Sequence, residues 1–340
     1  MDISLDFSDV LIKPIPTKVK SRSLVKLERK FTFKYSPYEL ECAPIMAANM
    51  DTVGTIDVMK ELVKENIFTC LNKFVTLEEL HQNKPFLEVH TDNFALSIGW
   101  SDDDIIRLID IEKILDFKVI CIDIANGYIG GFVDFCSKVR RAFPNKIIIA
   151  GNVCTSEGVK NLILDGKVDI VKCGIGGGSA CTTRIKTGVG MPQLSCAQEC
   201  AVEAHNHDAL MISDGGITCP GDLAKAFAVN SDFVMIGGQF AGHKENPGDI
   251  IEENGRKYKT FYGMSSTHAM KKNYGEKRVY RTSEGRYIKI PYKGEIKDTL
   301  EDFLGGLRST CTYTNTSKLQ DLSSNVQFIR VNNQFNKSLI

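Results

Sequence analysis

The chain has 340 residues, of which 43% are hydrophobic and 25% charged, and this composition is typical of a globular protein with a substantial core. Its 42 basic and 42 acidic residues balance, which argues against a protein held to nucleic acid by a general positive field. No apolar run approaches the roughly 20 residues of a membrane helix, and the first residues lack a secretory pattern. The eleven cysteines are odd in number and irregular in spacing. They are therefore expected to be reduced, in a cytoplasmic protein without a zinc site.

The first 41 residues form a basic segment. Between positions 13 and 34 a single acidic residue, Glu28, stands among eight basic ones: Lys13, Lys18, Lys20, Arg22, Lys26, Arg29, Lys30 and Lys34. Two interpretations stay open for this run. It is either a solvated basic face or a site for a phosphate group on a ligand or partner.

Short apolar runs then recur along the chain and predict eight strands, at residues 43–48, 68–71, 94–98, 118–124, 147–150, 169–172, 210–213 and 233–236. Amphipathic segments between most of them predict helices at residues 56–65, 103–115, 132–143, 157–164, 192–205 and 222–228. The usual step of roughly 22–28 residues accommodates one strand and one crossover helix. Eight such units favour a (β/α)₈, or TIM, barrel of the α/β class over an open doubly wound sheet, with a last helix at 297–307.

The longest step, roughly 40 residues, separates the sixth and seventh predicted strands and begins with a glycine-dense loop. Residues 174–184 contain four glycines, Cys181, two threonines and Arg184. Glycines let a backbone approach a ligand closely, and nearby donors and a cation favour a thiolate. Most cysteines are inert, buried side chains. In this architecture, however, chemistry takes place on loops that follow the strands, and the loop that carries Cys181 leaves the sixth predicted strand at that end.

Paired glycines follow the last two predicted strands, at Gly215–Gly216 and Gly237–Gly238. They predict a phosphate site, since barrels of this kind build one there, although tight turns would explain the glycines as well. A polar insertion at 242–291 comes next and predicts a lid, the alternative being a disordered segment. The tail, 312–340, is expected to be a docked or frayed extension.

Several strings, taken in order, resemble the IMP dehydrogenase/GMP reductase family over nearly the whole chain. Besides the cysteine loop they are residues 47–53, 123–127, 150–153, 187–193, 213–216, 261–264, 283–285 and 305–310. The step from Leu71 to Phe94 leaves no room for the regulatory domain pair that IMP dehydrogenases carry, which predicts a single catalytic domain over 1–340. Residues 278–281 do not reproduce the dehydrogenase Arg-Tyr dyad. Two positions depart from the family pattern, Gly177 for proline and Asn72 for histidine.

The resemblance implies an NADPH-dependent reductive deamination of GMP to IMP and ammonia. Cys181 would attack the purine at C2, and the resulting covalent intermediate divides one difficult step into two easier ones. Thr183 and Glu284 would protonate the departing ammonia. The substrate-binding residues implied by the family are Ser179, Asp214, Gly215, Gly216, Gly237, Gly238, Tyr262, Gly263, Met264, Ser265, Arg281, Thr282, Ser283 and Gly285.

The resemblance also implies a cofactor, a cation and a homotetramer. The residues expected to bind NADPH are Ser21, Arg22, Lys73, Asp123, Ile124, Ala125, Asn126, Tyr280, Ser309 and Thr310. A monovalent cation such as K⁺ would be held in the loop by Gly176, Gly178, Cys181 and Arg184, through carbonyl oxygens. Three alternatives stay open: an NAD-dependent IMP dehydrogenase, a flavin-dependent barrel, and a catalytically silent nucleotide-binding regulator.

Overall fold

The computed structural model describes residues 3–264, 266 and 285–332. Two short strands, β1 (Val10–Ile12) and β2 (Arg29–Thr32), precede eight parallel strands that close into a barrel. The barrel strands are β3 (Glu39–Ala47), β4 (Ile67–Leu71), β5 (Phe94–Ile98), β6 (Val119–Asp123), β7 (Ile147–Val153), β8 (Ile170–Cys173), β9 (Leu210–Asp214) and β10 (Phe233–Ile236). Each pairs with the next along the chain, and β10 pairs with β3 to complete the ring. The predicted (β/α)₈ barrel is confirmed.

The first barrel strand begins four residues earlier than the apolar run predicts, at Glu39. Its first half alternates exposed and buried side chains because it pairs antiparallel with β2, whereas its second half is buried on both faces. Phe31 of β2 is almost completely buried and stacks on Phe233, with 4.2 Å between the ring centroids. The β2–β3 hairpin therefore fills the amino end of the barrel and leaves the carboxyl end for a site.

Helices lie between the strands as predicted. They are α1 (Ile56–Leu62), α2 (Leu77–Gln82), α3 (Lys84–Val89), α4 (Asp102–Glu112), α5 (Phe132–Ala142), α6 (Ser156–Leu164), α7 (Thr183–Thr187), α8 (Gln193–Asn206), α9 (Pro220–Ala228) and α10 (Ile296–Tyr313). The sequence did not predict α2, α3 and α7, which have five or six residues each. So few residues cannot display a helical hydrophobic period, and α2 is defined instead by a capping box between Thr76 and Glu79.

In the described part of the insertion after β10, β11 (Ile251–Glu253), β12 (Arg256–Tyr262) and β13 (Tyr287–Pro291) form an antiparallel sheet. The part of the tail that the structure describes is docked, since β14 (Phe328–Arg330) pairs antiparallel with β1. Among the helices of the described ranges, none has both the length and the apolar character needed to cross a membrane. All eleven cysteines lie in those ranges as free thiols.

A partly buried ion pair outside the site predicts how the stability of the protein depends on pH. His205 Nε2 lies 2.7 Å from Asp232 Oδ2, and this hydrogen bond raises the pKa of His205 against the opposing effect of burial. A histidine whose pKa is raised on folding stabilises the protein below its unfolded pKa of about 6.5 and loses that effect as the pH rises through the folded value. We therefore expect His205→Gln to lower the free energy of unfolding more at about pH 5.5 than at about pH 9.

Urea unfolding at both pH values measures this difference. His81→Gln, which removes an exposed imidazole on α2, is the control variant. An equal loss of stability by His205→Gln at the two pH values would contradict the assignment.

Candidate active site at the carboxyl end of the barrel

The loop that leaves β8 places two of the three predicted catalytic residues in contact. The Cys181 thiol donates a hydrogen bond to Thr183 Oγ1 over 3.2 Å, and the Cys181 N–H donates to Gly178 O over 2.9 Å. If Cys181 is ionised, the direction reverses and the Thr183 hydroxyl is the donor. One hydroxyl can therefore serve both forms of the sulfur.

Exposure separates Cys181 from most other cysteines of the chain. Burial raises the pKa of Cys42 to about 12 and that of Cys311 to about 11, so these thiols stay protonated at neutral pH. Cys154 and Cys181 are half-buried, and Cys219, on the loop before α9, is exposed. Of these three accessible thiols, Cys181 is the one on the glycine-rich loop.

The glycine-rich loop packs against both of the later glycine pairs. Gly216 N–H donates to Gly177 O over 2.9 Å, and a Cβ added to Gly215 would lie 3.1 Å from backbone atoms of the cysteine loop. Both Gly215 and Gly216 have positive φ angles, +99° and +79°, which favour glycine. A Cβ on Gly238 would lie 2.3 Å from Ser179 Oγ. The structure thus brings Ser179, Gly215, Gly216 and Gly238 together, as a phosphate site requires.

Substituting Gly238 tests this arrangement, because the added methyl group would displace the Ser179 side chain. If the glycine turns hold a phosphate group as predicted, Gly238→Ala should raise the KM for a phosphorylated substrate about tenfold or more, which corresponds to about 1.4 kcal/mol of binding. Steady-state kinetics measures the change. Gly305→Ala on α10 is the matched control, since its added methyl group meets no atom within 4 Å. Equal KM values for the two variants would exclude close packing of Ser179 on Gly238 as a determinant of binding.

A buried lysine that the sequence analysis missed connects the two sides of the site. Lys172, near the end of β8, lies 2.7 Å from Asp123 Oδ1 and 2.7 Å from Asp214 Oδ2. Asn152 Nδ2 donates to the same Asp214 oxygen over 2.8 Å and to Gly174 O over 2.7 Å. A lysine within an otherwise apolar strand was the available signal, because a buried cation requires a partner.

Burial and charge act against each other at Lys172. Burial alone would lower its pKa, but Asp123 and Asp214 outweigh that effect and raise the pKa well above the usual value. Burial would likewise raise the pKa of Asp123, and the Lys172 ammonium, helped by Lys73 and Asn49, lowers it instead. Both members of the Asp123–Lys172 pair are therefore charged at neutral pH.

Asp123 also opens onto a cleft beside the glycine loops. The cleft is lined by Asn49, Lys73, Phe74, Asp123 and Met264. Two of these residues, Lys73 and Asp123, are predicted to contact the cofactor, and Met264 is predicted to contact the purine base. Three further predicted residues, Ile124, Ala125 and Asn126, follow Asp123 at the end of β6, and the last two are exposed.

The insertion is attached to the cysteine loop through its backbone. Cys181 and Gly285 form an antiparallel bridge, Arg286 N–H donates to Ala180 O over 2.9 Å, and Gly263 N–H donates to Arg286 O over 3.1 Å. Gly263 and Gly285 therefore lie beside the predicted nucleophile. The predicted residues Ser265, Tyr280, Arg281, Thr282, Ser283 and Glu284 lie outside the described residues.

Tyr262, which is predicted to bind the substrate, contacts two other side chains of the protein. Its hydroxyl donates to Asp51 Oδ2 over 3.0 Å, and its ring stacks on Tyr287 with centroids 5.9 Å apart. The Asp51 N–H also approaches Met264 Sδ, at 3.4 Å. These contacts hold the ends of β12 and β13 against the loop after β3.

The remaining predicted residues occupy two other places. Ser21 and Arg22 are exposed in a turn that packs against α10, the helix that carries Ser309 and Thr310, so the structure brings these four residues onto neighbouring elements.

The residues predicted to hold a cation lie in the cysteine loop. There the Arg184 side chain lies over Gly176, whose φ is +87°. The described residues include no group of three or more His, Cys, Asp or Glu side chains able to hold a metal ion. Carbonyl oxygens such as that of Gly178, which have two lone pairs, would be the ligands.

Comparison with known proteins agrees with this geometry. Residues 4–337 match the model of the IMP dehydrogenase / GMP reductase domain. The chain belongs to this family. It is 50% identical over 339 residues to GMP reductase 1 of Mus musculus, covering 98% of this chain and 97% of the relative. It is 51% identical to GMP reductase 2 of Homo sapiens and to a GMP reductase of Buchnera aphidicola, in each case over 98% of this chain and 96% of the relative. Both activities in the family description are oxidoreductions, and the chain is an oxidoreductase of this family.

Proposed function

We propose that the chain catalyses the NADPH-dependent reductive deamination of GMP to IMP and ammonia, with Cys181 as the nucleophile. The observation that carries this proposal is the contact between Cys181 and Thr183 on a loop that packs against both glycine turns. About half of the residues are identical to those of proteins named GMP reductase, over nearly their whole length. That likeness supports a GMP reductase rather than an IMP dehydrogenase.

The reaction begins when the Cys181 thiolate adds to C2 of the purine, so that the C2=N3 double bond opens, N3 takes up a proton and C2 becomes tetrahedral. The bond from C2 to the exocyclic amine then breaks, and the amine leaves as ammonia after gaining a proton. N3 loses its proton as the C2=N3 double bond re-forms, and a thioimidate between Cys181 and the purine remains. NADPH, when bound, would supply the hydride to C2. The C2–S bond breaks after that addition, and IMP and the free thiolate are regenerated.

Thr183 and Glu284 are proposed to deliver the proton to the amine. Thr183 Oγ1 already contacts the sulfur, so it lies within reach of any group bonded to it. Glu284 is outside the described residues, but its chain neighbour Gly285 pairs with Cys181. A carboxylic acid hydrogen-bonded to the hydroxyl would complete a route for the proton.

The proposed GMP site follows the two glycine turns. Ser179, Tyr262 and the backbone of Gly215, Gly216, Gly237 and Gly238 would hold the phosphate. Asp214, oriented by Lys172 and Asn152, would accept hydrogen bonds from the ribose hydroxyls. The residues proposed to cover the base, with the insertion as a lid, are Gly263, Met264, Ser265, Arg281, Thr282, Ser283 and Gly285.

The proposed nicotinamide site is the cleft next to Asp123. Its lining fits a carboxamide, because Lys73 and Asn49 provide donors and Asp123 an acceptor. Ile124, Ala125 and Asn126 continue this wall.

The adenosine end of NADPH would be held between subunits of a homotetramer, by Ser21, Arg22, Tyr280, Ser309 and Thr310. K⁺ would be held by carbonyl oxygens of Gly176, Gly178 and Cys181. A single domain of this kind, with eleven free thiols, suits the reducing cytoplasm.

An assay of the purified chain with GMP and NADPH tests this function. We expect loss of NADPH absorbance with one IMP and one ammonia formed for each NADPH consumed. Formation of NADH from IMP and NAD⁺ without GMP turnover would identify a dehydrogenase. A yellow protein would indicate a flavin enzyme, and GMP binding without turnover a silent regulator.

A further inference from the structure

A segment near the start of the chain packs beside the helix α8 that follows the cysteine loop. Leu5 N–H donates to Ser195 Oγ over 2.8 Å, and Ser195 N–H donates to Leu5 O over 3.1 Å. Lys225 Nζ donates to Phe7 O over 2.9 Å. The ring of Phe7 also lies 3.2 Å from where a Cβ of Gly216 would stand. Residues 5–7 therefore pack against the first turn of α8 and the glycine turn after β9.

Within this segment, Asp6 contacts both ends of the 184–193 stretch. Its Oδ1 accepts the Gln193 N–H over 2.5 Å, and its Oδ2 lies 3.0 Å from Arg184 Nη1. The Asp6 N–H donates to Asp9 Oδ2 over 2.7 Å, which fixes the segment itself. One carboxylate thus links the start of α8 to the helix that follows Cys181.

Arg184 passes this restraint to the loop. A Cβ added to Gly176 would lie 2.5 Å from Arg184 Cγ, and a Cβ added to Gly190 would lie 2.7 Å from it. The Arg184 side chain therefore packs on Gly176 within the cysteine loop and on Gly190 just before α8. Arg184 also donates through Nη2 to Met191 O. A guanidinium is a rigid planar fork, and holding it at one end fixes the stem that packs on these glycines.

We propose that Asp6 is a positioning residue for Cys181, acting through Arg184 and Gln193. The proposal rests on the proposed function in so far as Cys181 is the nucleophile. Asp6 and Arg184 are each about one-third exposed, at 36% and 35%. An ion pair so exposed adds little to global stability, so its effect is expected in the geometry of the loop.

Two variants separate the contacts of Asp6. Asp6→Asn keeps an oxygen for the Gln193 N–H and removes the charge that holds Arg184, whereas Asp6→Ala removes both. We expect kcat to fall about tenfold in Asp6→Asn and further in Asp6→Ala. The rate of Cys181 alkylation by iodoacetamide, followed by peptide mass spectrometry without substrate, should rise at least about threefold as the loop loosens. The buried Cys70 and Cys121 should stay unmodified in both variants.

Asp110→Asn is the matched control, since Asp110 forms an exposed ion pair of 2.7 Å with Lys113 on the outer helix α4. The proposal would be overturned if Asp6→Asn and Asp6→Ala had a kcat and a Cys181 alkylation rate within twofold of those of the unsubstituted protein. Modification of Cys70 and Cys121 would also overturn it, because it would show general unfolding. The alkylation readout does not require GMP turnover. If the proposed function is wrong, Cys181→Ala retains activity. The effect of the Asp6 variants on the rate of Cys181 alkylation can still be measured in that case.

Discussion

Cys181→Ala is expected to abolish GMP turnover, with kcat reduced on the order of 10⁴-fold or more, because the covalent route loses its nucleophile. The dissociation constant for GMP should change only a few-fold, since the proposed phosphate and ribose contacts come from Ser179, the glycine turns and Asp214. Steady-state kinetics and equilibrium binding measure the two quantities. The separation of a large loss in kcat from a small loss in affinity is the signature of a group that acts in the chemical step.

Cys219→Ala provides the control for this substitution. Cys219 is an exposed thiol on the loop before α9, so Cys219→Ala tests whether the loss of an accessible thiol outside the cysteine loop affects turnover. Unchanged kcat in Cys219→Ala and a large loss in Cys181→Ala would support the assignment. Turnover by Cys181→Ala at the rate of the unsubstituted protein would rule it out.

Lys172→Met is expected to weaken both stability and activity. The substitution leaves the carboxylates of Asp123 and Asp214 without the buried ammonium that both contact. Breaking a fully buried pair costs about 3–5 kcal/mol. The Asp123 and Asp214 side chains are 29% and 21% exposed, so a loss on the order of 2 kcal/mol is expected here. We expect kcat/KM for GMP to fall about 100-fold, because the carboxylate proposed for the ribose is no longer held.

The pH profile identifies the electrostatic part of this effect. Lys172 lowers the pKa of Asp123, so the ionised form of Asp123 is favoured in the intact protein until the pH falls through that lowered value. Without the ammonium, the acidic limb of the kcat/KM profile should move to higher pH. An unchanged acidic limb would contradict this account.

A double variant separates charge from packing. Lys172→Met combined with Asp123→Asn removes one of the two carboxylates and should recover part of the stability that Lys172→Met loses. Urea unfolding of the two proteins measures the recovery. A double variant less stable than Lys172→Met alone would show that the hydrophobic fit of the new side chain, rather than unpaired charge, causes the loss.

The barrel could be predicted because its strands are buried on both faces. Runs such as 147–150 and 233–236 are uninterrupted apolar segments, and eight of them at similar spacing are typical of a closed parallel barrel. Where burial changes along a strand the prediction was less accurate. The start of β3 was missed because Glu39 and Glu41 are exposed in a hairpin.

The position of the candidate site could also be predicted, since the carboxyl ends of parallel barrel strands meet at one face. Asp214 is the last residue of β9, the glycine pairs directly follow β9 and β10, and Cys181 lies on the loop after β8. The partners of these residues could not be predicted, because they are far apart in sequence. Asp6 and Arg184 are separated by 178 positions, and no local pattern relates them. Tyr262 illustrates the same limit, since its hydrogen bond to Asp51 depends on how the insertion folds back.

Mass spectrometry of the enzyme, quenched in acid during turnover of GMP, tests whether Cys181 bonds to the purine. We expect a peptide that contains Cys181 and carries the added mass of GMP less ammonia. This adduct should be absent in Cys181→Ala and unchanged in Cys219→Ala. Full turnover with no adduct on Cys181 under any quench condition, or the same adduct on another residue, would contradict the claim that this sulfur bonds to the purine.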